Sequence, residues 1–176
     1  RFLATKLARH FVADEPPPAL VDRLAQAYRR SGGDLPTVYR ELVNAPEAWQ
    51  PALKKLKTPE EFAVSSARLL KLDDDWLSRQ RDGGIAVMGQ KLQNAPSPAG
   101  WGDQAEDWLG PEAVWKRVEW VHHLIRRHAG DVDARALAKR SLGPLLSDES
   151  GTQLARAADG TQALSLLLLS PEFQRR

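Results

Sequence analysis

Apolar residues recur along this chain at three- and four-residue intervals, and no stretch sustains the alternation of a strand. Leu3, Leu7, His10 and Phe11 share one side of a helix predicted over Arg1 to Val12. Asp14 to Pro18 (DEPPP) ends it, because consecutive prolines cannot continue a helix. A second helix, Ala19 to Arg30, turns Leu20, Leu24, Ala27 and Tyr28 inward, and SGGD breaks the chain after it. Asp34 is placed to cap a third helix bearing Leu35, Val38, Leu42 and Val43. The stretch KTPEEFAVSSARLL opens a fourth, Thr58 to Leu72: Thr58 caps, Pro59 fits the first helical position, and Glu60 and Glu61 suit the first turn. Its face combines Phe62, Ser66 and Leu69 with Ala63, Ser65 and Ala67, small side chains that predict close packing against the rest of the fold.

Beyond this helix, DDDW and RDGG bracket a short segment, Trp76 to Arg81. NAPSPAGWG, Asn94 to Gly102, is the clearest irregular loop. A short helix around Asp103 to Leu109 leads to Gly110-Pro111, and a long one runs from Pro111 to Ala129 with Val114, Val118, Val121 and Ile125 as its buried stripe. Three short helices follow: Asp131 to Leu142, Thr152 to Ala158, and Thr161 to Leu169. Pro46-Glu47, Pro59-Glu60, Pro111-Glu112 and Pro171-Glu172 all read as helix starts, with proline supplying φ and glutamate facing the dipole. That shared capping physics accounts for a faint echo between DLPTVYRELVNAPEAW and DGTQALSLLLLSPEFQ, so no repeat is inferred. The expected fold is all-α: an irregular bundle of about seven to nine helices joined by Pro/Gly-rich loops, with no β-sheet. One region, 1–176, is expected, subdividing near 90–102 into helices of 1–90 and helices of 103–176.

Composition narrows the function classes. The 176 residues are 42% hydrophobic and 27% charged, which fits one globular domain or two small helical subdomains. A chain of this length buries roughly 70% of its unfolded surface and needs no staple. None is available, since the absence of cysteine excludes disulfides and thiolate metal sites. Lys and Arg number 25 against 23 Asp and Glu, an excess too small to point to nucleic acid. Four acids and no base lie between Asp103 and Glu112, and seven bases against three acids lie between Lys116 and Arg140. Solvated helix faces account for that segregation. The longest apolar run, Leu164 to Leu169 broken only by Ser165, is far too short to span a bilayer. The chain opens at Arg1, inside a helical pattern and without methionine, so it is read as a fragment or processed form, and a missing targeting signal carries no information.

Candidate chemistry is sparse. Histidines 10, 122, 123 and 128 lack the three- or four-residue spacing that turns two imidazoles toward one ion, so no metal site and no cofactor is expected. Adjacent acids at Glu60-Glu61 read as capping residues, and Asp73-Asp74-Asp75 belongs to a turn without calcium-loop spacing. No P-loop, Gly-x-Ser-x-Gly elbow or His-Glu-x-x-His occurs. The tryptophans offer more. Trp101, Trp108 and Trp115 fall seven apart, but the Gly110-Pro111 break prevents one continuous helix. Trp120 lies off the valine stripe, either as a second buried edge or as a stacking platform for a sugar or base with Arg126 and Arg127 beside it.

Taken together, RFLATKLARHFVADEPPPALVDRLAQAYRRSGGDL, the KTPEEF helix, MGQKLQNAPSPAGW and ALSLLLLSPEFQRR resemble the C-terminal part of the bacterial domain of unknown function 1800 family. Gly89-Gln90 to Trp101 and Ser170 to Gln174 carry the most specific likeness. The resemblance implies a portion of a longer protein, an exported or periplasmic setting, and a protein partner, since members are often encoded beside a sulfatase-like family; it implies no activity for particular residues. Three functional readings follow. The first is a structural or interaction module that docks on a missing N-terminal part of the same protein or on another protein. The second is binding of a polysaccharide or other polymer by the 94–102 loop, with Trp101, Asp103, Gln104 and Trp108 as the binding surface. The third is a hydrolase component completed elsewhere, with Asp103, Glu106, Asp107 and His122 as its groups.

Overall fold

The computed structural model describes residues 1–50, 52–73, 76, 82–91, 93–128 and 132–176. Expectations for Asp74, Asp75, 77–81, Ala129 and Asp131 lie outside the described residues. Eight α-helices are present among the described residues: α1 (Phe2–Phe11), α2 (Pro18–Arg30), α3 (Leu35–Val43), α4 (Pro59–Leu69), α5 (Pro111–His128), α6 (Ala134–Ser141), α7 (Asp148–Arg156) and α8 (Gly160–Leu169). Short 3-10 segments lie between some of them, at Pro46–Trp49, Asp82–Met88, Ala105–Asp107 and Gly143–Leu145. The described residues contain no strand, only an isolated antiparallel bridge between Leu56 and Arg175. The fold is all-α, as the periodicity predicts.

The chain divides into two compact units, Arg1–Lys55 and Leu56–Arg176. This boundary falls ahead of the 90–102 loop, which lies inside the second unit. The reason is local: the Asp82–Met88 segment packs on α4 and α5, and Gln90 Oε1 accepts from Glu60 N–H at 2.9 Å, in the first turn of α4.

In the first unit, α2 packs on both α1 and α3. Ala4, Ala8 and Val12 meet Leu20, Val21, Leu24 and Ala25, with Val38 and Leu42 completing the core. Asp34 caps α3 by accepting from Thr37 N–H at 2.9 Å. Arg23 forks onto Glu47 at 2.8 and 3.0 Å, and buried Lys55 pairs with Asp14. The inward faces differ from expectation: Leu3, Phe11, Tyr28, Leu35 and Val43 are exposed. Alanines at 4 and 8 let α1 approach α2 closely, and Leu3 and Phe11 are left outside.

In the second unit α8 is the central element, burying Ala163, Leu164, Leu167 and Leu168 against α5, α6 and α7. The α4 cap is reciprocal: Thr58 Oγ1 accepts from Glu61 N–H, and Glu61 Oε2 accepts from Thr58 N–H at 2.9 Å. Phe62, Ala63 and Ser66 are fully buried, and the Ser66 hydroxyl donates to Phe62 O at 2.8 Å, so the small-residue face does serve packing. On α5 the buried stripe is Arg117, Trp120, Val121, Leu124 and Ile125, while Val114 is exposed. Trp120 and Leu124 remove more apolar area from water than the valines would, and that area sets the rotation of the helix.

The C-terminal segment closes this unit. Pro171-Glu172 opens a turn instead of a helix. Phe173 enters the core edge-on to Phe62, and Lys57 N–H donates to Gln174 O at 2.8 Å. Glu172 accepts from Ser150 Oγ at 2.9 Å and from Ser147 N–H at 3.2 Å, at the start of α7. Buried Arg117 donates to Gln174 Oε1 and to Lys57 O, each at 2.7 Å, and lies over the Phe62 ring. Burial pushes the Arg117 guanidinium down to about 10, with Glu61 opposing the shift. Lys57 Nζ donates to Phe173 O at 2.7 Å; burial lowers it to about 8, with Glu61 opposing and Arg176 adding to the shift.

Candidate functional site

Three depressions among the described residues are lined by aromatic side chains. The first contains the tryptophan loop. A 3-10 turn at Ala105–Asp107 folds the chain back, so that Trp101 and Trp108 lie 5.9 Å apart in a tilted pair. Asp107 holds the turn by accepting from Gln104 N–H at 3.0 Å, and Trp108 Nε1–H donates to Gly102 O at 3.0 Å. At Gly102 a Cβ would sit 2.2 Å from the Asp107 carboxylate, so a larger residue there would displace the side chain that holds the turn. The result is a hollow of about 330 Å³ in which Trp101 and Trp108 face Pro96, Asp107, Glu112 and Lys116. Trp101 is half-buried and Trp108 is buried; Asp103 and Gln104 are half-buried beside the pair.

The second is a cavity of about 200 Å³ against α5, walled by Trp76, Trp120 and Leu124 and rimmed by Glu119, His123 and Arg127. Trp120 is 6% exposed and packs against Phe62 at 5.2 Å and Trp76 at 6.1 Å. It is therefore a core residue that presents only an edge. Of the two arginines expected beside it, Arg127 lines the cavity and Arg126 lies on the exposed surface of α5.

The third is a groove of about 360 Å³ on the first unit, lined by Leu3, Leu7, Phe11, Tyr28, Leu35 and Tyr39 over the core. Lys6 and His10 are the basic side chains that line it, and no carboxylate does. Sequence reasoning misses it because the same residues look like an inward face. The signal that separates them is the alanine pair at 4 and 8.

The hydrolase candidates are not assembled. Asp107 is committed to its turn, and His122 lies on the exposed side of α5. Among the described residues no three His, Asp or Glu side chains converge as a metal ion would need, and no helix is long and apolar enough to cross a membrane. Sequence reasoning also misses Arg117 and Lys57 as special positions. A lone cation in helical register with Trp120, Val121 and Leu124 is the available sign for Arg117.

No curated protein and no solved structure matches the chain. A family model described as "Protein of unknown function (DUF1800)" matches residues 1–175. The stretches carrying that likeness have structural work in this fold: Gln90 joins the loop to α4, and Glu172, Phe173 and Gln174 lock the C-terminus onto α4, α5 and α7. With the match spanning essentially its whole length, this chain belongs to the DUF1800 family of proteins of unknown function.

Proposed function

We propose that the chain is a helical interaction module whose first unit receives an amphipathic, acidic segment of a protein partner. The observation that carries this reading is the groove over α1 to α3. Phe11, Tyr28 and Tyr39 line it and are exposed over a core of alanine, valine and leucine, and with Leu3 and Leu35 they present an apolar surface. Its lining charges are cationic, Lys6 with His10 beside it, so an apolar anchor flanked by acids complements it. An exported or periplasmic setting, supported by the family resemblance alone, belongs to the same reading.

The test is photo-crosslinking from a benzoylphenylalanine placed at Tyr39, with Arg140 as the control position, in cells that make the protein naturally. One partner peptide with apolar and acidic residues should be captured from Tyr39 and not from Arg140, and Lys6→Glu should reduce its yield. Equal adducts from both positions, or a captured peptide lacking acids, would contradict the proposal.

A second reading is favoured by the Trp101–Trp108 pair, which offers a half-open aromatic face with acids and Lys116 around it. Glycan binding there predicts that Trp101→Ala abolishes retention on a polysaccharide affinity gel without changing the melting temperature.

A further inference from the structure

Among the described residues of the second unit, Trp115 is the most exposed large apolar side chain, at 62%. It lines neither the cavity against α5 nor the Trp101–Trp108 hollow. Spacings of three and four residues place Pro111, Val114, Trp115 and Val118 on one side of the helix, and Leu109, just ahead of it, is exposed as well. An exposed indole leaves unused the large apolar area that an aromatic ring can bury, and tryptophan is a favoured interface anchor.

The charge around this anchor has one sign. From Asp103 to Trp115 there are four acids and no base. Asp107 is committed to its turn, but Glu106 and Glu112 are exposed, and exposed Glu119 lies one turn beyond Trp115. Lys116 pairs with Glu112 at 2.7 Å yet leaves the Glu112 side chain 80% exposed. The helix dipole accounts for an acid in the first turn of α5, and it does not account for the tryptophan that follows. The groove of the first unit has the opposite character. Arg1, Lys6, Arg9 and His10 lie between Arg1 and Ala13 with no acid among them. Arg1 pairs with Asp22 and Arg9 donates to Asp14 O, so Lys6 and Arg9 carry the cationic excess.

We propose that the partner received by this groove is a second copy of the chain. Val114 and Trp115 of one copy sit among Leu3, Phe11, Tyr28 and Tyr39 of another, with Glu106, Glu112 and Glu119 facing Lys6 and Arg9. The inference rests on the reading of the groove as a dock for an acidic, apolar segment, and it names that segment. Groove and anchor are unlike surfaces, so two copies close reciprocally or the assembly extends head to tail. One anchor in one groove is a small contact, so the dilute chain is an isolated monomer.

The test mixes two preparations of the chain. One carries benzoylphenylalanine at Tyr39 at natural isotope abundance, and the other is the native chain labelled uniformly with ¹⁵N. After irradiation, mass spectrometry should find adducts joining the light Tyr39 peptide to the heavy peptide that contains Trp115. Sedimentation velocity should show the native chain growing in mass as it is concentrated. Trp115→Ala and Lys6→Glu should each weaken that association roughly tenfold. Both side chains are exposed, so the melting temperatures of the variants should be unchanged. Light-to-light adducts alone would mean that the groove meets its own chain, which overturns the proposal. A native chain that stays monomeric without adducts to the Trp115 peptide, or association that ignores both variants, overturns it too. If Tyr39 then still captures an acidic peptide of another protein in cells, the groove reading survives this failure; if it captures none, both fall.

Discussion

The two units use their aromatic residues in opposite ways. In Arg1–Lys55 all five lie outside, Phe2 at 73% and Phe11 at 55% exposure, around a core whose largest members are leucines. In Leu56–Arg176, Phe62, Trp76, Trp108, Trp120 and Phe173 are buried, and Trp115, at 62%, is the large exception. Aromatic rings bury more area than any other side chain, so a fold that leaves them outside forgoes stability it could have had. The buried aromatics of the second unit therefore belong to folding, while those of the first lie on the surface.

Breaking the aromatic core should have the greatest consequence. Phe62 touches Trp120, Phe173 and Arg117 together, and Phe62→Ala should cost about 3–5 kcal/mol in urea unfolding. Next comes overpacking. Ser66→Leu, on the fully buried face of α4, should cost about 1–3 kcal/mol. Ala8→Leu should cost a similar amount in the first unit, because Ala8 has no exposed surface. An unchanged melting temperature in either variant would mean that the face concerned is not closed.

A more modest effect tests the C-terminal clasp. Folded Lys57 gives up its proton near pH 8, and in the unfolded chain it does so near the ordinary lysine value of 10.5. Between those values the unfolded state binds more protons, so stability rises with pH. Thermal melts of the native chain and of Lys57→Met, compared from pH 7.5 to 10.5, should show that rise in the native chain and a flatter curve in the variant. The least change is expected at the exposed ring of Phe11, where Phe11→Gln should alter stability by less than about 0.5 kcal/mol. A larger loss would assign the exposed aromatics of the first unit to folding after all.

Local features were legible in the sequence, and long-range ones were not. The Thr58-Pro59-Glu60-Glu61 start, the Asp34 cap and the helical period depend on neighbours within a turn, and the structure holds them as expected. Which side of a helix is buried depends on what it meets. Leu3 and Phe11 outrank Ala4 and Ala8 by hydropathy, but alanine wins where two helix backbones come close. Val114 and Val118 similarly outrank Arg117, whose burial depends on Gln174 and Lys57, 57 and 60 residues away. Pro171-Glu172 carries the grammar of a helix start, but bonds to Ser147 and Ser150 use the glutamate at the start of α7 instead. Of the binding residues expected from sequence, Trp101 and Trp108 come together through a turn that no periodicity encodes. Trp120 and Arg127 line a different cavity, walled in part by Trp76.

The opposed use of aromatics can be read out most directly by hydroxyl-radical footprinting of the isolated chain with residue-level mass spectrometry. Fast labelling is expected at Phe2, Phe11, Tyr39, Trp49 and Trp115, and slow labelling at Phe62, Trp76, Trp120 and Phe173. Labelling of Trp76 or Phe62 at the rate of Trp115, or protection of Phe11 and Tyr39, would contradict it.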